Sequence, residues 1–270
     1  MSEYLLKNGT KLYYEDTGHG QPVVFLHGWS SSHSMFSLPV NELRGRARCI
    51  TYDHRGHYGS RCQNTGTVTL ETLADDLNEL ITGLQLTGVT LVGWSMGAGT
   101  ALTYIRRYGC SALKQIVLCD MSPKLMNDEN WKLGLFSGKF TEEDTSHITG
   151  KDFLTLYKEF AVSASPSLAE LTRAELDHNI EAKLSNLDVP VLKQLAVSMK
   201  KQDNRDAVGM MTVPFTYFYA VPGSVFAPEL AEWYREHAVS QFRAVGFRDS
   251  SHKLITEHPD LFAAEIGKLL

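Results

Sequence analysis

The eleven residues VTLVGWSMGAG, at positions 89–99, restrict the folds open to this chain more than any other stretch. An apolar run of strand length passes directly into a helix-favouring segment at 96–108, and the junction is Gly93-Trp94-Ser95-Met96-Gly97. A serine at so tight a strand-to-helix turn is held up from the sheet edge. The crowding there asks for glycine on both sides, because a Cβ at 93 or 97 would strike neighbouring backbone. The N–H groups of Met96 and Gly97 open the helix without intrahelical partners, and the helix dipole adds positive potential where an oxyanion would form. A five-residue pattern of this kind recurs by chance, so the flanking elements carry the weight.

Those elements alternate. Residues 4–6 and 11–15 around Asn8-Gly9 read as a hairpin, 22–28 (PVVFLHG) as a buried strand, 35–43 as helical, and ARCITYDHRG as a strand. Leu70, Leu73, Leu77, Leu80, Ile81 and Leu84 then make one helical stripe before the strand at 89–92, the helix at 96–108 and a strand at 113–120. Such a βαβα order predicts an α/β fold, a mostly parallel sheet with helices on both faces. After Pro123 the strand signal vanishes until VPFTYFYAV at 213–221, and polar, helix-favouring stretches such as KDFLTLYKEFAVS take its place. The chain is therefore expected to build a core from 1–122 and 212–270, with 123–211 as a helical cap. A helix near 228–237, a strand at 241–247 and a helix from Pro259 complete the core.

At 270 residues, 43% hydrophobic and 21% charged, the composition is that of an ordinary globular protein. A net charge of −5 and only short basic stretches, 44–48 and 200–205, argue against a nucleic-acid partner. The amino terminus lacks the pattern of a secretory signal, and no apolar run reaches bilayer length, so a cytoplasmic location without a membrane partner is expected. Cys49, Cys62, Cys110 and Cys119 form no CxxC pair and read as reduced thiols. His54 and His57 make an H-x-x-H on a loop, for which packing is the plainer reading than metal binding. No cofactor is expected.

Four stretches together resemble the α/β-hydrolase superfamily over nearly the whole length: His27-Gly28-Trp29, DHRGHYGS at 53–60, GWSMG at 93–97 and SSHKLITEHPDLF near the end. The segment TLADDLNELITGLQLTGVTLVGWSMGAG is most similar to the perhydrolase, aryl-esterase and cofactor-free haloperoxidase branch. Tyr58 departs from the pattern, standing where DxRGxGxS has glycine. The resemblance implies Ser95 as nucleophile and His252, which follows the last strand by a few residues, as general base, since a serine hydroxyl needs such a partner at neutral pH. The N–H groups of Trp29 and Met96 are expected to form the oxyanion hole, with His27 shaping that loop.

The acid is less direct. Most relatives carry it in a loop after the strand here read as VPFTYFYAV, but YAVPGSVFAPE has Gly223 or Ser224 at that place. Asp120, at the end of the strand beside the nucleophile strand, is the leading replacement, as in haloalkane dehalogenases and some lipases. Glu229 and Asp249 are alternatives, as is a dyad in which water or Ser224 orients the imidazole. The expected activity is hydrolysis of a small, fairly apolar ester, thioester or lactone. Perhydrolase-like use of the same site and a hydrolase-fold receptor for a small ligand remain open. A dehalogenase is disfavoured, because position 95 is Ser where its nucleophile is Asp.

Overall fold

The structure, a computed structural model, describes residues 2–60, 66–143 and 152–270. Eight strands form one sheet in the order β1-β2-β4-β3-β5-β6-β7-β8. They are β1 (Ser2–Leu5), β2 (Lys11–Gly18), β3 (Gln21–Leu26), β4 (Ala47–Tyr52), β5 (Val89–Trp94), β6 (Leu113–Cys119), β7 (Phe215–Val221) and β8 (Phe242–Arg248). β1 and β2 pair antiparallel, β2 meets β4 antiparallel, and every other pairing is parallel.

Continuous apolar runs become central strands because both faces of the sheet are covered. Alternate residues of one strand enter different cores. Val24 and Leu26 of β3, Val89 and Leu91 of β5, and Ile116 and Leu118 of β6 face α2 (Leu70–Gly83) and α3 (Met96–Tyr108). Val23, Phe25, Val92, Val117 and Cys119 face the other way, toward α1 (Ser37–Leu43) and the carboxyl-terminal helix Pro259–Gly267. Each fully buried Val, Leu, Ile or Phe contributes roughly 1.5–3 kcal/mol, so these two layers hold the sheet rigid beneath its loops.

Between β6 and β7 the sequence predicts a helical stretch from 123 onward. The chain at 123–141 is instead irregular, organised by Asn127, whose side chain bonds the backbone of Gly134, Leu135 and Phe140. Local side-chain bonds of this kind compete with helix formation. Helices follow as α4 (Phe153–Ala164), α5 (Arg173–Leu184), α6 (Val189–Lys201) and α7 (Arg205–Val208). After β7 come α8 (Leu230–His237), then α9 (Leu254–Glu257) and α10 (Pro259–Gly267) behind β8. The short α9 was not foreseen from the sequence. No helix among the described residues is long and apolar enough to cross a membrane. Cys49, Cys110 and Cys119 are free and buried, and Cys62 lies outside the described residues.

Candidate active site

At the carboxyl ends of the parallel strands, β5 turns into α3 through a single residue. Ser95 takes φ 54° and ψ −123°, a region that costs a non-glycine residue about 1–3 kcal/mol. The glycines around it are there because their neighbours leave no room. A Cβ on Gly93 would overlap Gly97 backbone, and one on Gly97 would overlap the Leu26 carbonyl. β3 ends beside this turn, and a Cβ on Gly28 would lie 3.1 Å from Ser95 Cβ.

Three side chains from separate loops meet here. Ser95 Oγ lies 2.9 Å from His252 Nε2, and His252 Nδ1 lies 2.7 Å from Asp120 Oδ2. Their exposures are 9%, 3% and 1%, so the bonds are shielded from competing water. Nδ1 donates to the carboxylate, which leaves Nε2 as the acceptor for the Ser95 hydroxyl. Such an imidazole is arranged to take a proton from Ser95 while the buried carboxylate balances the charge it gains. The indole N–H of Trp94 donates to the His252 carbonyl at 2.7 Å and ties the histidine loop to β5. Asp120 sits one residue past β6 with φ 46°, and its N–H bonds the Phe218 carbonyl on β7. Glu229 and Asp249 are both exposed, and neither bonds the imidazole. Ser224 does not touch the ring either; its hydroxyl bonds Asp120.

The N–H of Met96 follows Ser95 directly at the start of α3, and neither it nor the N–H of Trp29 has a hydrogen-bond partner among the described residues. The loop that carries Trp29 is pinned by histidines. His27 Nδ1–H donates to the Gly28 carbonyl at 2.8 Å, and its Nε2 accepts the His54 N–H at 2.9 Å. His57 Nε2 accepts the Ser30 N–H at 3.1 Å, while its Nδ1–H donates to the Arg55 carbonyl at 3.0 Å. Both rings must be neutral to accept in this way. Both nitrogens of His57 are thus spent on backbone, and no His, Cys, Asp and Glu cluster suited to a metal occurs among the described residues. Tyr58 keeps a left-handed φ of 40°, and its ring packs with Tyr157, Ile180 and Leu187.

Burial, reinforced by neighbouring rings, holds His27 well below the usual imidazole range and brings His54 to about 3; burial likewise brings His57 to about 4. The unfolded chain takes up these protons from about pH 6.5 downward, so folding stability is full above that pH and falls toward pH 4. His33 works in the opposite sense, because the Asp53 carboxylate outweighs burial and raises it. Three rings against one predict a net loss, read as a urea midpoint that holds above about pH 6.5 and declines from there toward pH 4. A flat midpoint across that window would contradict neutral burial.

Helices α4 to α6 lie over this loop. The Trp29 ring packs among Phe153, Tyr157 and Phe160 at centroid distances of 6.2, 5.4 and 5.6 Å, and its Nε1–H donates to the Leu192 carbonyl at 3.0 Å. The Tyr157 hydroxyl donates to Ser30 Oγ at 2.8 Å. Tyr58 N–H bonds the Asn186 carbonyl and Asp188 N–H the Gly56 carbonyl, each at 2.8 Å. Sequence reasoning missed these ties, because nothing in the spacing of Ser30 and Tyr157 marks them as neighbours.

A mostly parallel sheet with a strained serine at its strand-to-helix turn and an imidazole and carboxylate behind it defines the α/β-hydrolase class. The chain belongs to the alpha/beta hydrolase family, which it matches over residues 23–265. It is 27% identical over 263 residues to the AB hydrolase superfamily protein YisY of Bacillus subtilis, covering 92% of this chain and 91% of that one. Over 127 residues it is 38% identical to the non-heme chloroperoxidase CPO-A1 of Kitasatospora aureofaciens, a match spanning 46% of each chain. Among solved structures, the esterase EaEST from Exiguobacterium antarcticum superposes with a TM-score of 0.83 at 27% identity, covering 99% of this chain and 98% of that one.

Proposed function

We propose that this protein is a serine hydrolase acting on a small, fairly apolar carboxylic ester, thioester or lactone through an acyl-enzyme. Ser95 Oγ attacks the acyl carbonyl as His252 Nε2 takes its proton, and the oxyanion falls between the N–H groups of Trp29 and Met96. His252 returns the proton to the leaving group as its bond to the acyl carbon breaks. Water then attacks the acyl-enzyme, giving its proton to His252, and the acid is released as Ser95 recovers its hydroxyl. Asp120 orients the imidazole throughout. The observation that carries this reading is the buried chain of hydrogen bonds from Ser95 through His252 to Asp120.

Residues 123–211 act as the cap in this reading, and Phe153, Tyr157 and Phe160 present apolar surface around Trp29. The name of the chloroperoxidase relative supports a second use of the same residues, in which peroxide replaces water as acyl acceptor. A fluorophosphonate probe separates either enzyme from a ligand-binding receptor: wild type is expected to label at Ser95, and an unlabelled protein would favour the receptor. Phe160→Ala is expected to shift chain-length preference across p-nitrophenyl esters toward longer acyl groups. An unchanged ranking would remove the cap from the binding role.

A further inference from the structure

Asp120 Oδ2 takes hydrogen bonds from two different elements: His252 Nδ1 at 2.7 Å and the Ser224 hydroxyl at 2.5 Å. Chemistry fixes the direction of the second bond. Ser224 Oγ already accepts the Phe226 N–H at 3.1 Å, and an ionised carboxylate has no proton to give, so the single hydroxyl proton points at Asp120. The loop that brings it there is itself held. Ser224 N–H bonds the Phe226 carbonyl at 3.1 Å, and Phe136 N–H bonds the Val225 carbonyl at 2.7 Å.

A carboxylate that is 1% exposed needs more than one donor, because each unsatisfied buried charge is costly and charge-assisted bonds are the strong ones. Held only by His252, the Asp120 carboxylate could turn about its last side-chain bond. With Ser224 on the same oxygen, that rotation would break two bonds together.

Resting on the hydrolase reading above, we propose that Ser224 is a positioning residue that locks the carboxylate of Asp120 onto His252.

Full-length Ser224→Ala and Ser224→Thr test this against p-nitrophenyl acetate. Ser224→Ala is expected to lower kcat about tenfold with KM unchanged, and Ser224→Thr, which keeps the hydroxyl, to restore most of it. Independently of turnover, the far-downfield proton resonance of His252 Nδ1–H should be sharp in wild type and Ser224→Thr and broadened in Ser224→Ala. Wild-type kcat in Ser224→Ala would overturn the positioning role and leave the hydrolase standing. Absence of both turnover and probe labelling in wild type would instead sink the hydrolase reading. The resonance then decides alone: equal sharpness in Ser224→Ala ends the proposal, and selective broadening upholds it.

Discussion

Ser95→Ala is expected to lower p-nitrophenyl acetate hydrolysis by roughly 10⁵ to 10⁶ while unfolding at nearly the wild-type temperature. The two halves of that expectation have separate causes. Among the described residues the hydroxyl's one hydrogen bond is to His252 at 2.9 Å, and the backbone strain at 95 belongs to the turn, which alanine keeps. Removing the oxygen therefore removes the attacking atom and little packing. His252→Ala should be almost as damaging, and the double variant no worse than either single one, because nucleophile and base act as a unit. Activity at the wild-type level in Ser95→Ala, or losses that multiply in the double variant, would refute the mechanism.

Asp120→Asn carries the second large effect, a fall on the order of 10⁴ in the acylation rate. The amide occupies the same space, so the protein should remain folded. It cannot balance the charge of an imidazolium, and its NH₂ can face Nδ1 and force the proton to Nε2, the nitrogen that must accept from Ser95. Glu229→Gln and Asp249→Asn should leave the rate within a factor of about two, since both carboxylates are exposed and away from the ring. Stopped-flow measurement of the acylation phase distinguishes these outcomes. A near-wild-type rate in Asp120→Asn would mean the carboxylate only fills space.

Much of this arrangement could be read before any coordinate was known. The helix expected at 96–108 is α3, Met96–Tyr108, and the strand expected at 89–92 extends by two residues into the turn. Local pattern sufficed there, since a continuous apolar run of strand length and a helix start with crowded glycines leave few alternatives. The stretch at 123–141 was illegible because Asn127, which organises its own loop, gives no periodic signal. The acid stayed open among Asp120, Glu229, Asp249 and a dyad for a related reason. Which carboxylate faces His252 depends on how far β6 and β8 stand apart across β7, a distance that sequence separation does not encode. The histidines of DHRGHYGS were legible as packing residues, but their service as acceptors for the backbone of the Trp29 loop was not.

One placement in the sheet carries over to how the protein loses activity. β8 is an edge strand, paired with β7 alone among the described residues, and the proposed base, His252, comes from the loop that follows it, whereas Ser95 and Asp120 rise from interior strands. Edge elements open by partial unfolding at lower free energy than the centre of a sheet. Release of the short loop 249–253 would withdraw the imidazole and leave Ser95 and Asp120 in place, while Leu254, Ile255, Phe262 and Ile266 stay buried against the sheet. The Trp94 indole, reaching from the centre to the His252 carbonyl, is the rivet that opposes this. By this route the reaction is lost before the fold, and the margin between the two is set by how firmly one loop beside a border strand is fastened.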